Sequence, residues 1–170
     1  YPDNQFIEEE GMEGLALHPD FEHNGYIFTY FVYYDGPRVA ENRRARIIRY
    51  QAIPPNAPTI DPDTGIVVYS FAPVNNAHMG GGLRFGPDGY LYVASFHEDA
   101  ILKVGPEGGM AIVFATLPSP AALAFDPGGV LHVVLPHPPG GQAGQLGRRT
   151  GEVDAAGEHH VDPVAQRADL

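Results

Sequence analysis

The chain has 170 residues, enough for one domain burying roughly 70% of its unfolded surface. Its 44% hydrophobic and 18% charged residues suit a globular protein, while 21 Gly and 17 Pro interrupt it too often for long helices and favour an all-β composition. A formal charge of -11 and a pI near 4.9 oppose nucleic acid and anionic lipid, whose binders cluster Lys and Arg, and the lack of cysteine excludes disulfides and thiolate metal sites.

In chain order, Tyr1 to Glu10 is polar and acidic, ending in three successive glutamates that read as solvated. Gly14 to Leu17 predicts a short strand, His18-Pro19-Asp20-Phe21 and Asn24-Gly25 supply turn chemistry, and the aromatic run Tyr26 to Tyr34 predicts the returning strand. After a polar loop over Asp35 to Asn42, Arg46 to Tyr50 reads as a third strand with charged residues at its margins. A proline-rich loop from Pro54 to Gly65 then leads to a fourth strand, Ile66 to Phe71.

The pattern restarts with Gly82 to Phe85, the turn Gly86-Pro87-Asp88-Gly89, then Tyr90 to Phe96, Ala100 to Val104 and Met110 to Thr116. It starts a third time at Ala122 to Phe125, with Asp126-Pro127-Gly128-Gly129 as the turn and Val130 to Leu135 as the return. Aligning these starts superposes Leu15, Leu83 and Leu123, at spacings of 83 − 15 = 68 and 123 − 83 = 40 residues. Units of about 40 to 50 residues with one hairpin signature each are what β-propeller blades show. The expected fold is therefore an all-β propeller of four-stranded antiparallel blades, present as about two and a half blades over residues 1–135. Residues 136–170, rich in Gly, Ala, Gln and charge, predict a low-complexity, mostly disordered tail.

No apolar run reaches the roughly 20 residues that span a bilayer, and the longest is Tyr26 to Tyr34. The opening Tyr1-Pro2-Asp3 has no initiator Met and no signal-peptide pattern, which suggests a piece of a longer protein. Open blades would also leave unpaired sheet edges that invite self-association.

Among candidate reactive groups, His78 stands on a glycine-rich approach to a strand, where an imidazole titrating near neutrality can act as a base. From spacing alone a polar loop histidine reads as well. Gly80-Gly81-Gly82 precedes a strand rather than a helix, so it is no phosphate loop; its glycines allow close approach of a flat ligand or of a neighbouring strand. Asp61-x-Asp63-x-Gly65 begins like a calcium loop but lacks the remaining ligands, and a solvated turn accounts for it. His18 reads as a turn residue. His97, Glu98 and Asp99 are placed together at one rim or at a hairpin tip, and neither they nor His132, His137, His159 and His160 show metal-ligand spacing.

Two stretches resemble a known family. Gly14-Leu15-Ala16-Leu17-His18-Pro19-Asp20-Phe21, followed by Asn24-Gly25-Tyr26, is similar to the first-blade signature of the soluble quinoprotein glucose and sorbosone dehydrogenases. His78-Met79-Gly80-Gly81-Gly82-Leu83-Arg84-Phe85-Gly86-Pro87-Asp88-Gly89-Tyr90-Leu91-Tyr92 resembles the family's histidine-containing blade motif without a gap. The resemblance implies a six-bladed propeller, located in the periplasm or outside the cell, that oxidises the C1 hydroxyl of aldose sugars by hydride transfer to pyrroloquinoline quinone held with calcium. It implies His78 as the general base and places Glu9, with Gly80 and Gly81, beside the cofactor.

The chain departs from the family where an Arg-Asn pair should precede the next Leu-Ala-Phe, since Pro118-Ser119-Pro120-Ala121-Ala122 has neither residue. A Gly-Asp at the end of the second signature is here Ser95-Phe96. Tyr90 to Ser95 and Ile101 to Val104 also resemble NHL-type propeller repeats, which implies a second expectation, a non-catalytic module that binds a protein or glycan. The isolated chain is expected to show no turnover, because two and a half blades cannot close a ring of at least four.

Overall fold

The computed structural model describes residues 10–55, 57–71, 80–135, 149–153 and 159–160. They form three four-stranded antiparallel sheets. The first is β1 (Gly11–Leu17), β2 (Tyr26–Tyr34), β3 (Arg43–Gln51) and β4 (Asp61–Ser70), with a one-turn helix α1 (Phe21–Asn24) inserted in its first hairpin. The second is β5 (Gly80–Phe85), β6 (Leu91–Ser95), β7 (Ala100–Val104) and β8 (Ile112–Thr116). The third is β9 (Ala122–Phe125), β10 (Leu131–Leu135), β11 (Arg149–Val153) and β12 (His159–His160). In each sheet every strand pairs with the next in sequence, the meander of a propeller blade.

The three hairpins share one closing bond, and that bond fixes the repeat register. The N–H of Gly86 donates to Tyr90 O at 2.9 Å and that of Asp126 to Val130 O at 3.0 Å, each around a tight turn whose last residue, Gly89 or Gly129, has positive φ. In the first blade the N–H of His18 donates to Tyr26 O at 3.0 Å across a longer loop that accommodates α1.

With this register the core follows from strand alternation. Phe28, Tyr30 and Val32 of β2 project together onto Leu83, Leu91 and Val93 of the second blade, with Phe85 packed at the margin. One blade further on, Tyr92, Ala94 and Ile101 meet Leu123, Leu131 and Val133 of the third. Full burial of each large apolar side chain contributes about 1.5–3 kcal/mol, so two such layers hold the blades in sequence. The repeat has a polarity, for Leu83 and Leu123 pack backwards onto the preceding blade and are 2% and 6% exposed. Leu15, at the equivalent place in the first blade, is 45% exposed.

Two segments contain strands that their composition does not announce. Segment 136–170 supplies strand β11, whose backbone pairs with β10 from Leu131↔Val153 to Leu135↔Arg149, and strand β12, which pairs with β11 through Glu152↔His160 and Val153↔His159. The third unit therefore has four strands rather than two. Composition hides this because pairing to an open strand edge uses main-chain groups and needs no apolar run. Asp61 to Gly65, expected as loop, opens β4. Its turn chemistry survives inside the strand: Asp61 Oδ1 accepts the Asp63 N–H at 2.9 Å, and Thr64 Oγ1 accepts the Gln51 N–H at 2.9 Å, across a register shift in β3.

Candidate functional site

The pairings Gly80↔Ser95, Ser95↔Ala100 and Ala100↔Thr116 place the start of β5, the end of β6, the start of β7 and the end of β8 at one rim of the second blade. In the sequence, residues 78 and 79 directly precede β5, but His78 itself, like Glu9, lies outside the described residues.

Gly80 and Gly81 are described, with φ of 89° and 97° that side chains rarely adopt. A Cβ on Gly80 would collide with the Ala94 carbonyl oxygen; one on Gly81 would lie 2.8 Å from Glu13 Cβ, and one on Gly82 3.0 Å from Ala122 Cα. The glycine run thus lets the first strands β1, β5 and β9 of successive blades approach backbone to backbone. The space these missing Cβ atoms leave is filled by protein and is no open cradle.

Around the rim, the Ser95 hydroxyl is fully buried and donates to Glu98 Oε2 at 3.2 Å. The Tyr69 phenol is pushed above its ordinary pKa by burial and then by the Glu98 carboxylate. Tyr69 stands against Phe71, which meets Tyr30, with ring centroids 4.9 Å apart in each pair. Asp99 has a structural duty: with φ of 50°, its Oδ1 accepts the Ser119 N–H at 2.8 Å and its carbonyl accepts the Leu117 N–H at 2.8 Å, tying down the crossover to the third blade. The turn that joins His97, Glu98 and Asp99 is thus at the rim, with two of its three members engaged by protein. Among the described residues no group of three or more His, Asp or Glu is arranged to hold a metal ion.

The opposite rim holds hairpin turns. His18 Nδ1 accepts from the Asp20 N–H at 3.1 Å and faces Asn24 Nδ2 at 2.8 Å, while its ring sits 5.1 Å from that of Phe85. Burial lowers the imidazole pKa, opposed by the Asp20 carboxylate. His18 is a turn residue, as its motif indicates. Nearby, Lys103 Nζ contacts Asp88 Oδ2 at 2.6 Å, and Tyr92 donates to the same oxygen at 3.1 Å.

Sequence reasoning named Glu98 only beside His97 and Asp99 and missed its link to Ser95 and Tyr69. Ser95 stood out only as a departure from a motif, and Tyr69 joins it through folding alone. For pyrroloquinoline quinone with calcium, the described residues offer neither a cation cluster nor an open glycine cradle. Two of its expected neighbours, Glu9 and His78, lie outside the described residues. The described residues also include no helix long and apolar enough to cross a membrane.

The chain resembles known proteins over most of its length. A solved glucose dehydrogenase-type oxidoreductase from Thermus thermophilus is 26% identical with a TM-score of 0.65, over 86% of this chain and 50% of that one. The PQQ-bound aldose sugar dehydrogenase of Streptomyces coelicolor shares the fold at 21% identity and a TM-score of 0.60, over 93% and 54%. Hedgehog-interacting protein of mouse and human is 31% identical over 91 residues, 51% of this chain and 13% of that protein. The chain thus spans about half the length of these solved structures and a small part of the curated relatives. Since the glucose/sorbosone dehydrogenase model matches residues 1–100, more than half of the chain, the chain belongs to the glucose/sorbosone dehydrogenase family.

Proposed function

We propose that this chain is the substrate-base portion of a sugar dehydrogenase that oxidises the C1 hydroxyl of an aldose. The observation that carries the reading is the family match over residues 1–100, which includes His78 and the glycine approach to β5. His78 takes the hydroxyl proton at its imidazole as the hydride leaves C1. Pyrroloquinoline quinone, held with calcium in the complete protein, supplies the two-electron acceptor for that hydride. Glu9 and the backbone at Gly80 and Gly81 are proposed to border its pocket, with the remaining contacts coming from blades beyond this chain. A location in the periplasm or outside the cell fits this chemistry.

The test uses the full-length protein loaded with calcium and quinone, following dye reduction by aldoses. His78→Ala should lower kcat by at least about 100-fold, the scale of a lost general base. Unchanged activity would remove the assignment.

A second reading is a non-catalytic propeller that binds a protein or glycan, favoured by the 31% identity to hedgehog-interacting protein. Absence of dye reduction in the loaded full-length protein with every aldose tried, together with saturable binding of an immobilised protein or glycan, would select it.

A further inference from the structure

We propose that Glu98 and Tyr69 form a sugar-binding subsite at the rim of the second blade, gripping a pair of substrate hydroxyls other than the one at C1. The proposal rests on the dehydrogenase reading above for the class of substrate, and Ser95 serves the subsite as a positioning residue.

The two groups come from neighbouring blades and meet where the first blade faces the second. In β6 the alternation that sends Leu91 and Val93 onto the first blade sends Ser95 the same way. Its fully buried hydroxyl donates to Glu98 Oε2 at 3.2 Å and so fixes the carboxylate in the turn that follows. Tyr69 pairs with Ile47, a residue of the layer between these blades, and lies near enough to Glu98 for the carboxylate to act on its phenol. Behind Tyr69 stands the ring of Phe71, edge to face, and behind that the ring of Tyr30.

What sets Glu98 apart is that it has no counter-charge among the described residues. The carboxylate of Asp88 meets Lys103, that of Glu107 meets Arg49 and that of Glu10 meets Arg38, whereas Glu98 receives only the neutral Ser95 hydroxyl. Its second oxygen, Oε1, and the Tyr69 hydroxyl have no hydrogen-bond partner among those residues either. Both side chains are partly buried, which weakens their solvation and strengthens a bond to a ligand that reaches them. A carboxylate accepts several hydroxyl protons and a phenol both donates and accepts, the complement of adjacent hydroxyls on a sugar ring. The pair is also held in advance, since Asp99, at φ of 50°, clamps the same turn to Ser119 and Leu117.

The subsite shares its rim with the start of β5, for Gly80 pairs with Ser95 one strand spacing of about 4.8 Å away. His78 directly precedes β5 in the sequence, so a substrate whose C1 hydroxyl is deprotonated there directs its other hydroxyls outward over Ser95 towards Glu98. The family pattern has Gly where this chain has Ser95, and that departure supplies the hydroxyl that fixes Glu98.

The experiment uses the full-length protein and two readouts. With calcium and quinone loaded, dye reduction gives kcat and KM for aldoses and their monodeoxy derivatives. Glu98→Gln should raise KM for the preferred aldose about 10-fold or more, the effect of a lost hydrogen bond to a charged group, and Tyr69→Phe about 3- to 10-fold, with kcat little changed in both. For the deoxy sugar that lacks a gripped hydroxyl, unmodified protein and variant should converge, which a merely structural role would not produce. Without quinone, saturation-transfer NMR of the aldose should label the protons beside that hydroxyl pair and lose them in Glu98→Gln. Labelling that depends on Glu98 in a protein that reduces no dye would keep the subsite and remove the dehydrogenase reading. Dye reduction with KM and deoxy-sugar preference unchanged in both variants would remove the subsite and keep that reading, and neither labelling nor dye reduction would remove both. If Glu98→Gln fails to fold, Tyr69→Phe, which deletes one oxygen, decides by the same two readouts.

Discussion

Replacing Gly81 by alanine tests whether the glycine run serves strand packing or a ligand. At φ of 97° a side chain is disfavoured by about 1–2 kcal/mol, the cost of leaving the right-handed regions. The new Cβ would also lie 2.8 Å from Glu13 Cβ and 3.0 Å from Glu13 O, so β1 must shift, adding about 1–3 kcal/mol as overpacking does. Gly89 is the internal control: its φ is 78°, but a Cβ there meets nothing within 4 Å, so Gly89→Ala bears the conformational cost alone. Urea unfolding of both variants at one protein concentration should place Gly81→Ala below Gly89→Ala by about 1–3 kcal/mol, a large share of a typical total of about 5–15 kcal/mol. Equal midpoints would refute the packing argument and return the glycines to a role in ligand approach.

Two further outcomes follow from the interior. The folded-state pKa of His18 is lowered, so its contribution to stability is fully present above the unfolded value of 6.5 and declines as pH falls below that value towards the folded one. Denaturation midpoints between pH 8 and pH 5 should show this decline, and His18→Asn, which keeps an acceptor near Nδ1, should flatten it; an unchanged slope in the variant counts against the assignment. Arg49 bonds Glu107 Oε2 at 2.6 Å and Pro106 O at 3.2 Å and lies 4.2 Å from the centre of the Tyr26 ring, with side-chain exposures of 10% for Arg49 and 73% for Glu107. Glu107→Ala should cost no more than about 1 kcal/mol, as exposed pairs do, while Arg49→Ala should cost about 2–3 kcal/mol through the lost carbonyl bond and ring contact. The reverse order in thermal unfolding would show that the ion pair, rather than the buried guanidinium, carries the contact.

Much of the fold was legible along the chain because hairpins are local. Gly-Pro-Asp-Gly at 86–89 writes its own turn, the aromatic run from Tyr26 to Tyr34 writes its own strand, and the three aligned leucines write the repeat. The site was less legible. His78 was found through a motif, whereas Ser95, Glu98 and Tyr69 come together only when β4 of one blade is laid beside β6 of the next. The charged residues of β3 read as strand margins, yet Arg43 and Arg49 are buried, and one partner of Arg49 lies 58 residues away at Glu107.

By itself the sequence determined the class, the number of starts and the family motif, because turn chemistry, strand alternation and repeat spacing are properties of neighbouring residues. Only the tertiary structure decided what each repeat faces. Leu15 and Leu83 occupy the same place in the same motif, yet one is 45% and the other 2% exposed, because burial depends on the blade that precedes and not on the residue itself. The same holds for Gly81, whose missing side chain makes room for Glu13 of a strand begun about seventy residues earlier in the chain.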